Sequence, residues 1–341
     1  MPLYNVLLQP LYSLHLPPPG SFAGQTVLVT GANTGLGLAT AQHLLNLGAS
    51  KLILGVRSLT KGQAAKETIE AATTNLAPFS IEVWALDLGS YASIKAFAAR
   101  AAKLERLDTA VLNAGLASKI FERSEEGWEM QTQVNVISTA LLGLLLLPTM
   151  AQLRKNVSGM SRPPNMVVVG SDIHADAIFN ERKSENILAA LNDRGIWEKS
   201  MKAGPAERYG TSKLLNLYVA LELARVTPLV DGEPAVVVNV MAPGLCQTEL
   251  LSREEGAPWV LVLVQSLVGR PIEVGAKTVV DAAARGAEAH GKYYDHQKIG
   301  KLAPLVTSEE GKKLRAKVWE EILEVLEKTA PEVRKIASGS S

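Results

Sequence analysis

Near-continuous apolar runs at 26–30, 51–56, 81–86, 109–112, 166–170 and 235–240 alternate with stretches of helical character at 36–47, 61–72, 90–106, 128–153 and 208–225. A strand that is apolar on both sides must be covered on both faces. That is the condition of a parallel sheet with helices packed above and below it. Strand–helix alternation of this length predicts a doubly wound α/β fold and argues against a barrel or a helical bundle. At 341 residues the chain is long for one domain, yet a single sheet can organise it. The expected layout is an N-terminal arm over 1–20, one domain over 21–330 and a C-terminal tail over 331–341. Two segments fit the alternation poorly, 171–206 and 249–270. Long excursions of this kind often shape a ligand pocket.

Charge and cysteine content narrow the classes of partner. Lys and Arg number 35 against 34 Asp and Glu, so the basic footprint of a nucleic-acid binder is missing. One cysteine, Cys246, cannot form an internal disulfide, which suits a reducing, cytoplasmic setting. Residues 1–16 are apolar but lack the basic start and small-residue cleavage site of a signal peptide. Pro10 and Pro17 to Pro19 interrupt any helix there, so a surface-packed arm is expected and no integral membrane segment, the alternative being loose membrane contact of the arm. The apolar run 139–148 is too short to span a bilayer and is expected as a buried helix.

Directly after the first apolar run stands Thr30-Gly31-Ala32-Asn33-Thr34-Gly35-Leu36-Gly37, followed by helix. Glycines at a strand-to-helix junction allow a tight turn and bring backbone N–H groups up to a pyrophosphate. The strand-before, helix-after context raises Gly31, Asn33, Thr34, Gly35, Leu36 and Gly37 above a chance glycine spacing and predicts a Rossmann-type dinucleotide site. About twenty residues further on, an acidic side chain would mark a preference for NAD. Here the place is held by Arg57, which offers a 2′-phosphate a cation and a free 2′-hydroxyl no acceptor, with Lys61 close by in sequence. NADP(H) is the expected cofactor; the alternative is that Arg57 is an ordinary solvated cation. Asp87-Leu88 and Asn113-Ala114-Gly115 end the third and fourth runs, the edge at which α/β sheets bind ligands, although each could be a plain turn.

Tyr209-Gly-Thr-Ser-Lys213 opens a helical stretch, and residues four apart share a helix face. A neighbouring ammonium is expected to favour the phenolate and bring Tyr209 toward useful acid–base range. Ser171, at the end of a buried strand, could polarise a reacting oxygen or cap a turn. Asn135 is a polar residue in an apolar helix and must find hydrogen bonds, either in a network reaching Lys213 or as a satisfied core amide. His174 follows Ser171 by three, but Val169-Gly-Ser171-Asp-Ile173 lacks the hydrolase elbow, so a structural or pocket-lining role is expected. The histidines show no metal-ligand spacing.

In this order the residues resemble the short-chain dehydrogenase/reductase family, and in particular fungal biosynthetic-type reductases of secondary metabolism, over about 21–330. The resemblance implies a catalytic tetrad of Asn135, Ser171, Tyr209 and Lys213, with Lys213 also bonding the nicotinamide ribose. It further implies that Pro243, Gly244 and Thr248 lie near the nicotinamide carboxamide. The chain departs from the family pattern in a long interval between Ser171 and Tyr209, in the glycine before Ser171, and in Gly210-Thr211 after the tyrosine. The expected activity is an NADPH-dependent ketoreductase or secondary-alcohol dehydrogenase acting on a lipophilic small molecule. A redox-neutral isomerase or cyclase and a non-enzymatic NADP-binding protein are the alternatives. Leu250, Leu251 and the apolar stretch 258–264 with Trp259 would form either a lid over an apolar substrate or another core helix, with Trp197 as a candidate opposite wall. The long apolar helices around Asn135 and Tyr209 would either pair in a homodimer or pack internally.

Overall fold

A computed structural model describes residue 9 and residues 12–156, 162–247 and 268–339. Eight strands form its main sheet: β1 (Thr26–Thr30), β2 (Lys51–Val56), β3 (Ser80–Ala85), β4 (Thr109–Leu112), β5 (Asn165–Val169), β6 (Val237–Ala242), β7 (Tyr293–Asp295) and β8 (Lys298–Ile299). Their order across the sheet is β8-β7-β6-β5-β4-β1-β2-β3, all parallel except the β7–β8 pair. The chain therefore runs outward from β1 to β3, returns to β4 beside β1, and continues the other way. The crevice above β1 and β4 is the switch point where such sheets bind ligands.

Alternate residues of a strand face opposite sides. Leu28, Ala110, Met166 and Val238 face one core, and Val27, Val29, Val111, Val167 and Val237 face the other. The first core is completed by α3 (Tyr91–Ala101), α4 (Ser138–Asn156) and α7 (Pro205–Val226). The second is completed by α1 (Gly35–Asn46), α2 (Leu59–Ala72) and α8 (Ile272–Ala284). All six predicted apolar runs are strands, and the predicted doubly wound sheet is the one observed. β7 and β8 were not foreseen, being too short to show a pattern. The stretch 331–341 also differs from a plain tail. It holds the helix Glu332–Ala337, which buries Val333 and pairs Arg334 with Glu320 and Glu327.

The helical run Met130–Arg154 is long and apolar enough to cross a membrane, but most of it is buried inside the fold, and its apolarity is that of a core helix. Within it Gln133–Ile137 is a π-helical turn, every residue of which is buried.

The excursion between Ser171 and Tyr209 is organised rather than loose. It contains α5 (Ile187–Leu191), capped by Asn186, and α6 (Arg194–Ala203), capped by Asp193. Buried carboxylates hold it down. Glu207 accepts from the backbone N–H groups of Ile178 and Phe179 at 3.0 and 2.9 Å, and Glu321 accepts from those of Ile187 and Leu188 at 3.0 and 2.8 Å. Arg208 is buried between Glu181 (3.1 Å) and Glu129 (3.2 Å) and donates to the Leu191 carbonyl at 2.8 Å. Trp197 is buried with its ring edge-on to Phe121.

Removing Arg208 would leave two buried carboxylates without their cation. Arg208→Ala is expected to cost about 3–5 kcal/mol in urea unfolding. Removing the exposed Arg194, paired with Glu198 on the surface, should stay within about 0.5 kcal/mol.

Candidate active site

The switch point is closed by hydrogen bonds between the ends of β1 and β4. Thr30 Oγ1 accepts from the N–H groups of Asn113 (3.0 Å) and Ala114 (2.9 Å), and Asn113 Nδ2 donates to the Thr30 carbonyl at 2.9 Å. The glycine turn fits tightly over this contact. Gly31 has φ 65°, in the left-handed region, and a Cβ at Gly37 would stand 2.4 Å from the Gly31 oxygen and 2.5 Å from Asn113 Nδ2. The turn delivers the chain into α1 with Thr34 at the N-cap in extended conformation, so the first-turn amides of Gly35, Leu36 and Gly37 lie at the helix's positive end. Asn33 and Thr34 lie at the surface of the same turn.

Arg57 directly follows β2 and is exposed, as is Lys61 in the first turn of α2, and neither pairs with a carboxylate among the described residues. Asp87 Oδ1 accepts from the Gly89 N–H at 2.8 Å, while the Asp87 N–H is taken by Ser93 Oγ. The carboxylate thus builds the turn after β3 with one oxygen. Leu88 is buried, and its carbonyl accepts from Ser138 Oγ.

Tyr209 and Lys213 lie one turn apart on α7, with Lys213 Nζ 5.8 Å from the centre of the Tyr209 ring. Lys213 Nζ donates to the Val169 carbonyl at 2.9 Å, which draws it to the end of β5, two residues before Ser171. Burial lowers the Lys213 ammonium to about 8. Burial also pushes the Tyr209 phenol above its ordinary value, with Asp172 and Cys246 adding to the shift. The expected lowering of Tyr209 by its lysine is therefore not found: in this environment the phenol is held protonated. Ser171 Oγ donates to Asp172 Oδ1 at 3.3 Å and accepts from the Ile173 N–H at 3.4 Å, so the hydroxyl sits at a turn of which it is also the cap. Burial raises the Asp172 carboxyl, and Asp295 raises it further.

Asn135 does not touch the ammonium directly. Its side chain brackets Leu116, accepting from its N–H at 2.9 Å and donating to its carbonyl at 2.8 Å, and also donates to Ser212 Oγ at 3.0 Å. Its main-chain carbonyl accepts from Asn216 at 2.9 Å. It nonetheless shares a wall with the lysine, because a Cβ on Gly115 would lie 3.1 Å from Asn135 Oδ1 and 3.7 Å from Lys213 Nζ. His174 is buried, with Nδ1 2.7 Å from the Ser171 carbonyl and its ring edge-on to Tyr293, and burial lowers its pKa. It is a structural neighbour of the site.

Pro243 and Gly244 follow β6 in a turn at the same edge of the sheet; Thr248, Leu250, Leu251 and Trp259 lie outside the described residues. Among the described residues no cluster of His, Cys, Asp and Glu could hold a metal. Sequence reasoning missed Ser212 and Asn216, which lock α7 to Asn135. Their spacing from Lys213, one before and three after, was the available signal. It also missed Asp172, the acceptor of the Ser171 hydroxyl.

Comparison with known proteins agrees with this architecture. A family model described as short chain dehydrogenase matches residues 25–161. The short-chain dehydrogenase/reductase ffsI of Aspergillus flavipes is 40% identical over 332 residues, covering 95% of this chain and 92% of that one. A crystal structure of an uncharacterized protein from Mycobacterium paratuberculosis superposes with a TM-score of 0.62 at 26% identity, covering 91% of this chain and 95% of that one. RhlG of Pseudomonas aeruginosa, solved as an NADP complex, shares the fold with a TM-score of 0.57 at 24% identity, covering 81% and 96%. An identity of 40% sustained along nearly the whole length, on a sheet of this order, leaves one assignment: the chain belongs to the short-chain dehydrogenase/reductase family of oxidoreductases.

Proposed function

We propose that this protein is an NADPH-dependent ketoreductase, in reverse a secondary-alcohol dehydrogenase, acting on a lipophilic small-molecule carbonyl with Tyr209 as its acid and base. The observation that carries the reading is the joint placement of Tyr209 and Lys213 on one face of α7, drawn by the Val169 carbonyl to the strand end that bears Ser171. When bound, the nicotinamide supplies the hydride to the carbonyl carbon. The rest is the work of the chain. Ser171 offers its hydroxyl to the carbonyl oxygen, in exchange for its present bond to Asp172. Tyr209, held neutral by burial, donates its proton to that oxygen as negative charge develops there. The Lys213 cation stabilises the phenolate left behind. Asn135 acts at one remove, keeping Leu116 and Ser212 in place beside the lysine.

The residues of the other half fit a phosphorylated dinucleotide. The glycine turn sets a helix N-terminus where a pyrophosphate would lie, and Arg57 and Lys61 stand as two exposed cations beyond the end of β2, where a ribose 2′-phosphate would lie. A lipophilic substrate is inferred from the apolar residues 258–264 that follow Thr248 in sequence. The single cysteine suits a cytoplasmic setting. The helices α4 and α7 bury Leu141, Leu144, Leu214 and Leu223 in the core of one chain, and homodimerisation would have to use other parts of their surface.

Arg57→Asp is expected to weaken NADPH binding on the order of 10- to 100-fold, the loss of a charge-assisted hydrogen bond to phosphate, while NADH binding stays the same or improves. Titration with both cofactors checks this; equal losses for the two would overturn the NADP assignment. Tyr209→Phe should retain NADPH binding and fold while turnover of a ketone panel drops on the order of 10²- to 10⁴-fold. Near-native turnover in that variant would exclude Tyr209 as the acid.

A third expectation concerns pH. The Lys213 ammonium is present below about 8 and lost above it. Because kcat/KM reports the free enzyme's groups, kcat/KM for reduction should hold level below about 8 and fall above it. A profile with no limb near that pH, measured under saturating NADPH, would show that the charge of Lys213 is not used.

A further inference from the structure

The turn after β6 is held by a residue from the far end of the chain. Gln9 is buried, and its side-chain amide pairs with the backbone of Leu245 in both directions. Gln9 Nε2 donates to the Leu245 carbonyl at 2.7 Å, and the Leu245 N–H donates to Gln9 Oε1 at 2.7 Å. A side chain 236 residues away thus does for this turn what a neighbouring strand would do. Gly244 makes room for it: a Cβ there would stand 2.5 Å from Gln9 Oε1. Arg270 closes the clamp from the other side. Its N–H donates to the same Leu245 carbonyl at 2.8 Å, and its guanidinium reaches both the Pro243 carbonyl (3.2 Å) and the Gln9 carbonyl (3.3 Å).

The arm that carries Gln9 is itself fastened. Tyr12 packs its ring edge-on to His296 in the β7–β8 turn, and Gln297 of that turn binds the backbone of His15 in the same two-way manner, at 3.0 and 2.6 Å. Leu14 is buried, and its carbonyl accepts from Lys277 of α8.

We infer that Gln9 is a positioning residue for the nicotinamide end of the site, so that the N-terminal arm is part of the active-site apparatus. The inference rests on the cofactor reading proposed above, together with the family resemblance, which implies that Pro243 and Gly244 lie near the nicotinamide carboxamide. Gln9 acts through the turn and touches no reacting atom. Without it the Leu245 N–H loses this partner, and the turn loses one side of its clamp.

The test uses the full-length protein and two probes, NADPH and 2′,5′-ADP, which carries the phosphorylated adenosine half and no nicotinamide. In Gln9→Ala, 2′,5′-ADP affinity should stay within about twofold of wild type, while NADPH affinity and ketone turnover each fall about tenfold, as expected when a buried donor loses its acceptor. Gln9→Glu keeps the shape and cannot donate to the Leu245 carbonyl, so it should lose as much. Gln297→Ala, which frees the arm at a distance, should move in the same direction by less. Native NADPH affinity and turnover in Gln9→Ala would overturn the inference and leave the cofactor reading intact. A matching loss of 2′,5′-ADP would also overturn it, reducing Gln9 to general stability. Failure of the wild type to bind either probe would instead sink the cofactor reading, and the inference with it.

Discussion

A buried ammonium must have an acceptor, and for Lys213 that acceptor is the Val169 carbonyl at 2.9 Å. Much of the site follows from this one bond. It pulls α7 against the end of β5, and the residues flanking the lysine on the helix then meet the π-helical turn. There Ser212 accepts from the Asn135 side chain and Asn216 donates to its carbonyl. Asn135 in turn fixes Leu116, and with it the turn after β4, where a side chain at 115 would press on the amide oxygen at 3.1 Å. In the proposed mechanism the catalytic and cofactor sides share this wall, and the charge that organises it is the one that stabilises the phenolate.

The long interval before Tyr209 is managed differently. Its backbone amides at Ile178, Phe179, Ile187 and Leu188 end on the carboxylates of Glu207 and Glu321, and Arg208 joins it to Glu129 and Glu181. Such contacts are directional, and a buried ion pair adds little net stability over an apolar replacement. What they supply here is register. Glu207, Arg208 and Tyr209 are consecutive, so the residues that staple the excursion also fix the start of the helix that carries Tyr209 and Lys213.

The parts of the fold visible in the sequence are those written in local pattern. Apolar runs marked the strands from β1 to β6, the glycines of 31–37 marked the turn into α1, and a four-residue spacing put Tyr209 and Lys213 on one face. What was hidden depends on distant neighbours. β7 and β8 are too short to show a period, and Arg208 carries no sign in the sequence that it is buried. Asn135 was recognised as needing partners, but Leu116 and Ser212 could not be named. The phenol of Tyr209 was expected to be lowered by its lysine. The lysine was legible, the burial was not, and burial decides the direction.

The π-helical turn at Gln133–Ile137 also bears on how this chain can change. A π-turn amounts to one extra residue taken up within an α-helix, with the helix on either side kept near its own phase. Deleting that residue would restore a regular helix and change how the turn presents its own residues, Asn135 among them. The bonds from Asn135 to Leu116 and Ser212 depend on that presentation. The length of the segment is therefore tied to what Asn135 can reach, a restriction set by helix geometry and independent of the substrate the enzyme takes.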